Sequence, residues 1–153
     1  MTISALNINH HPEVYDMLAQ FTTENPGVCL PADQGNFRHV SMVLFSIQNS
    51  GVGYVSHNEQ GLTGMILAQT INDVWIPEQR FLVELAWWVK PEHRGSAAGA
   101  RLLKAYNQKA DQMLQSGEVI AASLSTLTTT PDLKLSKRGW MPTQQQYIRT
   151  QEA

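Results

Sequence analysis

Glu84 sits inside the apolar run Phe81-Leu-Val-Glu-Leu-Ala-Trp-Trp-Val89, and about ten residues later the chain turns through Arg94-Gly-Ser-Ala-Ala-Gly99-Ala100. An ionised carboxylate among apolar neighbours is expensive unless it is paired or reached by water. That makes Glu84 a candidate general base, able to take a proton from an ammonium so that the neutral amine can attack. The alternative is a structural carboxylate, satisfied by backbone donors or by an arginine. The turn offers different chemistry. Small residues between a strand and a helix aim several backbone N–H groups at one point, and the helix adds its positive dipole end. The donors would be the N–H groups of Gly95, Ser96, Ala97, Ala98, Gly99 and Ala100, with Arg94 either adding charge or capping the turn. Such a cradle suits a phosphate or pyrophosphate, and an acid upstream of a pyrophosphate cradle suits acyl-CoA chemistry.

These residues need a strand, a tight turn and a helix to place them. Phe81 to Val89 reads as a strand in the centre of a sheet, apolar on both faces. From Ala97 to Ser116, Leu102, Leu103, Tyr106, Ala110, Met113 and Leu114 form the apolar stripe of a helix that Gly117 ends. Upstream, Val14, Met17, Leu18 and Phe21 predict a helix over Glu13 to Gln20. Phe37, Val40, Val43, Leu44 and Ile47 predict a second over Phe37 to Ile47. Thr22 to Gly35 between them is a loop rich in Pro, Gly and Asn, of the kind that covers a site. Gly51 to His57 and Gly61 to Ile71 read as strands joined by a turn at Asn58-Glu-Gln60, and Asn72 to Arg80 as a connector. Downstream come a short strand from Val119 to Leu124, a helix from Asp132 to Arg138 ended by Gly139, and a last strand from Gln144 to Arg149. Helices fall both before and after the central strand, so the fold class is mixed α/β.

Composition narrows the function classes. With 153 residues and neither repeats nor linkers, residues 1–153 form one domain. Hydrophobic residues at 42% and charged ones at 16% describe a globular chain. A net charge of -2 argues against nucleic-acid binding by bulk electrostatics. The single cysteine, Cys29, excludes an internal disulfide framework and reads as a spectator thiol. His10, His11, His39, His57 and His93 lack a metal-ligand spacing, so no metal is expected. Neither a membrane span nor a secretory leader is visible, and a cytoplasmic protein is expected. Trp87 and Trp88 should point to opposite faces of the sheet, one filling the core and the other free to wall a pocket.

Arg94, Ala97 and Gly99 fill the three specified positions of Arg/Gln-x-x-Gly/Ala-x-Gly/Ala, the pyrophosphate loop of the GNAT acetyltransferase superfamily, which this segment resembles. Val89-x-Pro91-x-x-Arg94-Gly95 ahead of the loop, Leu102-Leu103 behind it and Lys137-Arg-Gly139-Trp140-x-Pro142 near the end extend the resemblance to nearly the whole chain. It implies a GNAT acyl-CoA N-acyltransferase fold, with a central mixed and splayed β-sheet flanked by helices. It also implies acetyl-CoA as co-substrate, with backbone of Trp88, Val89 and Lys90 pairing with pantetheine, and a small-molecule or peptide amine as acceptor. A homodimer is compatible with all of this. The wording is similar to small acetyltransferase-like proteins encoded by bacteriophages. One residue of the family pattern is missing: Leu135 occupies the place of the tyrosine that protonates the departing thiolate, which leaves Tyr106, Tyr147 or water for that task. The alternatives are a non-catalytic protein of the same fold, binding CoA or serving as scaffold, and an anion-binding domain for another nucleotide.

Overall fold

In a computed structural model of the chain, residues 1–25, 37–128 and 130–149 are described. The elements are β1 (Thr2–Ala5), α1 (His11–Glu24), α2 (Phe37–Ser50), β2 (Val52–Asn58), β3 (Gly61–Asn72), β4 (Arg80–Val89), α3 (Ala98–Gln115) and β5 (Ala121–Ser123). The strands form one sheet in the order β1-β2-β3-β4-β5. The first four pair antiparallel, and β5 joins β4 in parallel. The sheet is thus mixed, as expected.

Two apolar layers hold the sheet. On one face Val14, Met17 and Phe21 of α1 and Val40, Leu44 and Ile47 of α2 pack on Val55, Met65, Leu67, Ala86 and Trp88. On the other, Leu102, Leu103, Tyr106, Ala110 and Met113 of α3 pack on Ile66, Ala68 and Leu82. The helical stripes are those expected from spacing, except that Phe37 and Leu114 lie outside the buried stripes, at 43% and 39% exposure. Trp87 belongs to the α3 layer and Trp88 to the α1/α2 layer, so the pair does face both ways. Gly51 is demanded by a close approach: a Cβ there would stand 2.3 Å from the Ala68 carbonyl oxygen.

The structure corrects the expected elements at both ends. Thr2–Ala5, to which no strand was assigned, pairs with β2; four residues are too few to show a period. α1 runs on to Glu24, into the expected loop, with Asn25 as its C-cap; residues 26–35 of that loop, with Cys29, lie outside the described residues. The helix expected over Asp132 to Arg138 is a single 3₁₀ turn, Leu135–Arg138. Asp132 accepts the Lys134 N–H at 2.9 Å, and Lys134 is left-handed at φ 52°, which a longer helix cannot accommodate. The strand expected over Gln144 to Arg149 does not form. Gln144-Gln-Gln146 offers no apolar alternation, and Tyr147 is 86% exposed with its hydroxyl donating to nearby Gln145.

Candidate active site

β4 carries the site because its pairing changes halfway along. Leu67 pairs with Ala86 and Ala68 with Glu84, so Leu85 is an extra residue, a β-bulge. The two layers show what the bulge does. Leu82 packs toward α3, yet Ala86 and Trp88 pack toward α1/α2, while Trp87 and Val89 face α3. A regular strand would keep Leu82, Ala86 and Trp88 on one face; the bulge inverts the alternation.

β5 leaves β4 at the same place. Its pairing covers Phe81↔Ala121, Leu82↔Ala122 and Val83↔Ser123, and stops. Glu84, the next residue, therefore stands at the apex where the two strands part. Its carboxylate is buried at 7% exposure and accepts the Ser125 N–H at 3.0 Å. This bond spans the opening in place of the strand pairing that has ended. Beyond it, the Lys90 N–H donates to the Thr63 carbonyl, so the backbone groups of Trp88 and Lys90 turn toward β3. Those of Trp87 and Val89 turn toward the gap.

The turn after β4 is built from a 3₁₀ turn, Pro91–His93, and Gly95 at φ +82°. The Ser96 hydroxyl donates to the His93 carbonyl at 2.6 Å and accepts the Ala98 N–H at 3.3 Å. The Ser96 N–H donates to the same carbonyl, and the first bond of the α3 ladder runs from Arg101 N–H to Ala97 O. Gly99 and Ala100 thus open α3 with N–H groups that have no intrahelical carbonyl to reach. Among the described residues the space over the turn is open: a Cβ on Gly95 would meet none of their atoms within 4 Å, and one on Gly99 only the Val89 Cγ2 at 3.7 Å.

Arg94 has the architectural job that was one of its two expected roles, with a partner that its position in the loop did not reveal. Its guanidinium forms a two-pronged ion pair with Glu24, at 2.9 and 2.7 Å, and its Nε donates to the Val89 carbonyl at 3.0 Å. It also lies 5.7 Å from the centre of the Trp88 ring, whose Nε1 donates to the same Glu24 at 3.3 Å. The end of α1 is thereby pinned to the turn. Lys90 points its ammonium at Glu13 of α1, 3.8 Å away.

Residues 11–132 match the acetyltransferase (GNAT) family. The chain belongs to that family. Membership places it among the N-acetyltransferases as a class. No curated protein matches it in sequence. Solved structures do match in fold. An acetyltransferase from Trypanosoma brucei has a TM-score of 0.64 at 13% identity, covering 99% of each chain. A ribosomal-protein-alanine N-acetyltransferase from Brucella melitensis biovar Abortus 2308 has 0.62 at 12%, covering 99% of this chain and 100% of its own. An aminoglycoside acetyltransferase from an uncultured soil metagenomic sample, in complex with sisomicin, has 0.62 at 17%, covering 99% and 95%.

On this GNAT scaffold the apex has unusual electrostatics. Burial raises the Glu84 carboxyl to about 7, against hydrogen bonds from Ser125 that lower it. Tyr106, reaching up from α3, donates its hydroxyl to the Ser123 carbonyl at 2.8 Å. Burial first, and the Glu84 charge second, push that phenol above its ordinary range, so it stays protonated. Trp140 stacks on Tyr106 with 6.0 Å between ring centres and donates its Nε1 to Asn107, while Leu135 packs into the same layer. Ser125 and Glu24 are the residues that sequence reasoning missed, because neither lies in a motif and their roles come from contacts across 41 and 70 positions. Among the described residues no group of three metal-ligating side chains could hold an ion, and no helix is long and apolar enough to cross a membrane.

Proposed function

We propose that this GNAT protein transfers acetyl from acetyl-CoA to a primary amine by direct attack in a ternary complex. The observation that carries the reading is the parting of β4 from β5 at Glu84, with the open N–H turn at the far end of the same strand. In this reading the pyrophosphate rests on the turn over Gly95 and Gly99, held by the Gly99 and Ala100 N–H groups. Pantetheine lies along the β4 edge at Val89, and the thioester reaches toward the apex. A groove of about 380 Å³ beside α3 is lined by Ala100, Arg101, Lys104, Arg138 and, as its one acidic group, Asp111; Lys104 and Arg138 would complement a further phosphate of CoA. Arg94 acts through Glu24 and Trp88, keeping the turn in shape.

Glu84 takes one proton from the incoming ammonium, the neutral amine attacks the thioester carbonyl, and the C–S bond breaks to release CoA thiolate, which takes up the second proton that the adduct nitrogen sheds as the amide forms. A carboxyl at about 7 is matched to that task, since it is partly ionised at neutral pH yet basic enough to accept a proton. Backbone N–H groups facing the gap would hold the oxyanion. The acceptor is a small-molecule or peptide amine. The names of the matched structures make aminoglycosides and protein N-terminal alanines the first acceptors to try, followed by polyamines and free amino acids. Calorimetry with acetyl-CoA, with ATP as control, is the test of the first half. Micromolar affinity for acetyl-CoA and none for ATP is expected; the absence of acetyl-CoA binding would remove the reading.

One observation favours a second reading, a CoA-binding or structural GNAT protein without turnover. Leu135 brings no hydroxyl, and the Tyr106 hydroxyl is committed to Ser123. A thiol with a pKa of about 8.5 is a fair leaving group without protonation, however, so transfer need not wait for an acid. Leu135→Tyr is therefore expected to raise turnover by about tenfold or less, below the usual 10²–10⁴ of a general acid. Steady-state rates on any accepted amine provide the check. Acetyl-CoA binding without acylation of any amine, by either protein, would favour the second reading.

A further inference from the structure

The hairpin joining β3 to β4 ends in three apolar residues that no other described residue covers. Val74 is 83% exposed, Trp75 88% and Ile76 47%. Scattered apolar residues on a surface are ordinary, but a tryptophan flanked by two aliphatics at one tip is an interaction patch. The tip is rigid. Asp73 accepts the Trp75 and Ile76 N–H groups at 2.6 and 3.2 Å, its own N–H donates to Gln79 O at 2.8 Å, and the Gln79 N–H donates to Ile76 O. A preordered apolar knob loses little entropy on docking.

The same hairpin also carries a bare apolar surface. Ile71 pairs with Phe81, Gln69 with Val83, and Phe81 with Ala121, so these residues share one face of the sheet. Gln69 donates to Ser46 of α2, which identifies that face as the α1/α2 side. But α2 lies over β2 and β3, and α1 over β3 and the far end of β4. Among the described residues the near half of β4 is left open, floored by Ile71, Phe81 and Val83 and continued by the bulged Leu85, with Ile71 and Leu85 at 45% and 43% exposure. On the flank, Met42 shares a helix face with Ser46 and is 62% exposed.

We propose that the Val74-Trp75-Ile76 tip seats in this trough on a second copy of the chain, forming a two-fold dimer. Knob and trough lie on one hairpin, so a two-fold axis satisfies both at once, the self-complementarity that an isologous interface requires. The size is sufficient. Trp75 alone offers about 200 Å², and tip and trough together expose roughly 500 Å² per copy, so pairing buries about 1,000 Å², the lower bound for a specific interface. Asp73 and Glu78, which bracket the tip, disfavour an anionic bilayer as the occupant.

Sedimentation equilibrium of the full chain over about 1–200 µM tests this, with Trp75→Ser removing the knob and Ile71→Lys blocking the trough. The parent should dimerise within that range, and each variant should raise the dissociation constant by about 30-fold or more. Mixing the two variants supplies the control for misfolding. Only the mixed pair has one intact tip facing one intact trough, so the mixture should associate more strongly than either variant alone. A parent that stays monomeric overturns the proposal, whether the tip then proves to bind an acceptor or a vesicle. A Trp75→Ser protein that dimerises normally overturns it too, as does a mixture that gains nothing.

Discussion

Glu84→Gln is expected to slow acyl transfer by roughly 10²–10⁴-fold, the range of a general base, and to stabilise the fold at alkaline pH. The two effects have one cause. Burial lifts the carboxyl from 4.5 to about 7, so the folded protein holds the proton more tightly than the unfolded chain. Below about pH 4.5 the group is neutral in both states and exerts no penalty. Between 4.5 and 7 the unfolded chain ionises while the folded one resists, and stability falls as pH rises; above 7 the full penalty applies. A shift of this size corresponds to about 3 kcal/mol. Glutamine does not titrate, and its carbonyl can accept the Ser125 N–H in place of the carboxylate. The stability difference between variant and parent should therefore move in the variant's favour by about 3 kcal/mol from pH 4.5 to pH 8, measured by urea unfolding across that window. Turnover of the parent should rise with pH through about 7, and the variant should lack that inflection. A purely structural carboxylate predicts the stability change with turnover intact, so equal rates at matched folded fraction would eliminate the base.

The strand, turn and helix that carry this chemistry were legible because each is local. An apolar run, a cluster of small residues and a helical stripe are neighbours in sequence, and their signals do not depend on the rest of the chain. What escaped was everything made by contact. The bulge at Leu85 leaves no mark in an uninterrupted apolar strand, since both faces of β4 are apolar; only the two packing layers reveal that the alternation inverts. Arg94 read either as a charge offered to a ligand or as a cap on the turn, but its partner Glu24, seventy residues away, was in neither reading. Glu84 was recognisable by its apolar neighbours, but not its bond to Ser125, which depends on where β5 ends. At the C-terminus the reverse error occurred. Gln144 to Arg149 has strand-like Tyr147 and Ile148, but a strand also needs a partner and a buried face, and that segment has neither.

Gly99→Glu should abolish acetyl-CoA binding, by more than 100-fold in affinity, while leaving the fold intact. The separation of these outcomes follows from the space around the residue. A Cβ on Gly99 would meet only the Val89 Cγ2 at 3.7 Å, an ordinary contact, and the residue already has helical backbone at the start of α3. An acidic side chain at a helix N-terminus is favoured by the dipole, so Gly99→Glu should unfold no more easily than the parent. Its carboxylate would enter the space over the turn and set a negative charge at the proposed pyrophosphate site. Gly99→Ala separates bulk from charge. One methyl group in open space should weaken binding by a few-fold at most, since the N–H groups that make the cradle are unchanged. The informative comparison is isothermal titration of the three proteins beside their urea midpoints. If Gly99→Glu binds acetyl-CoA as the parent does, the pyrophosphate does not rest on this turn, and the mechanism loses its anchor. If it loses binding and stability together, the side chain meets protein rather than ligand, contrary to the open space that the geometry provides.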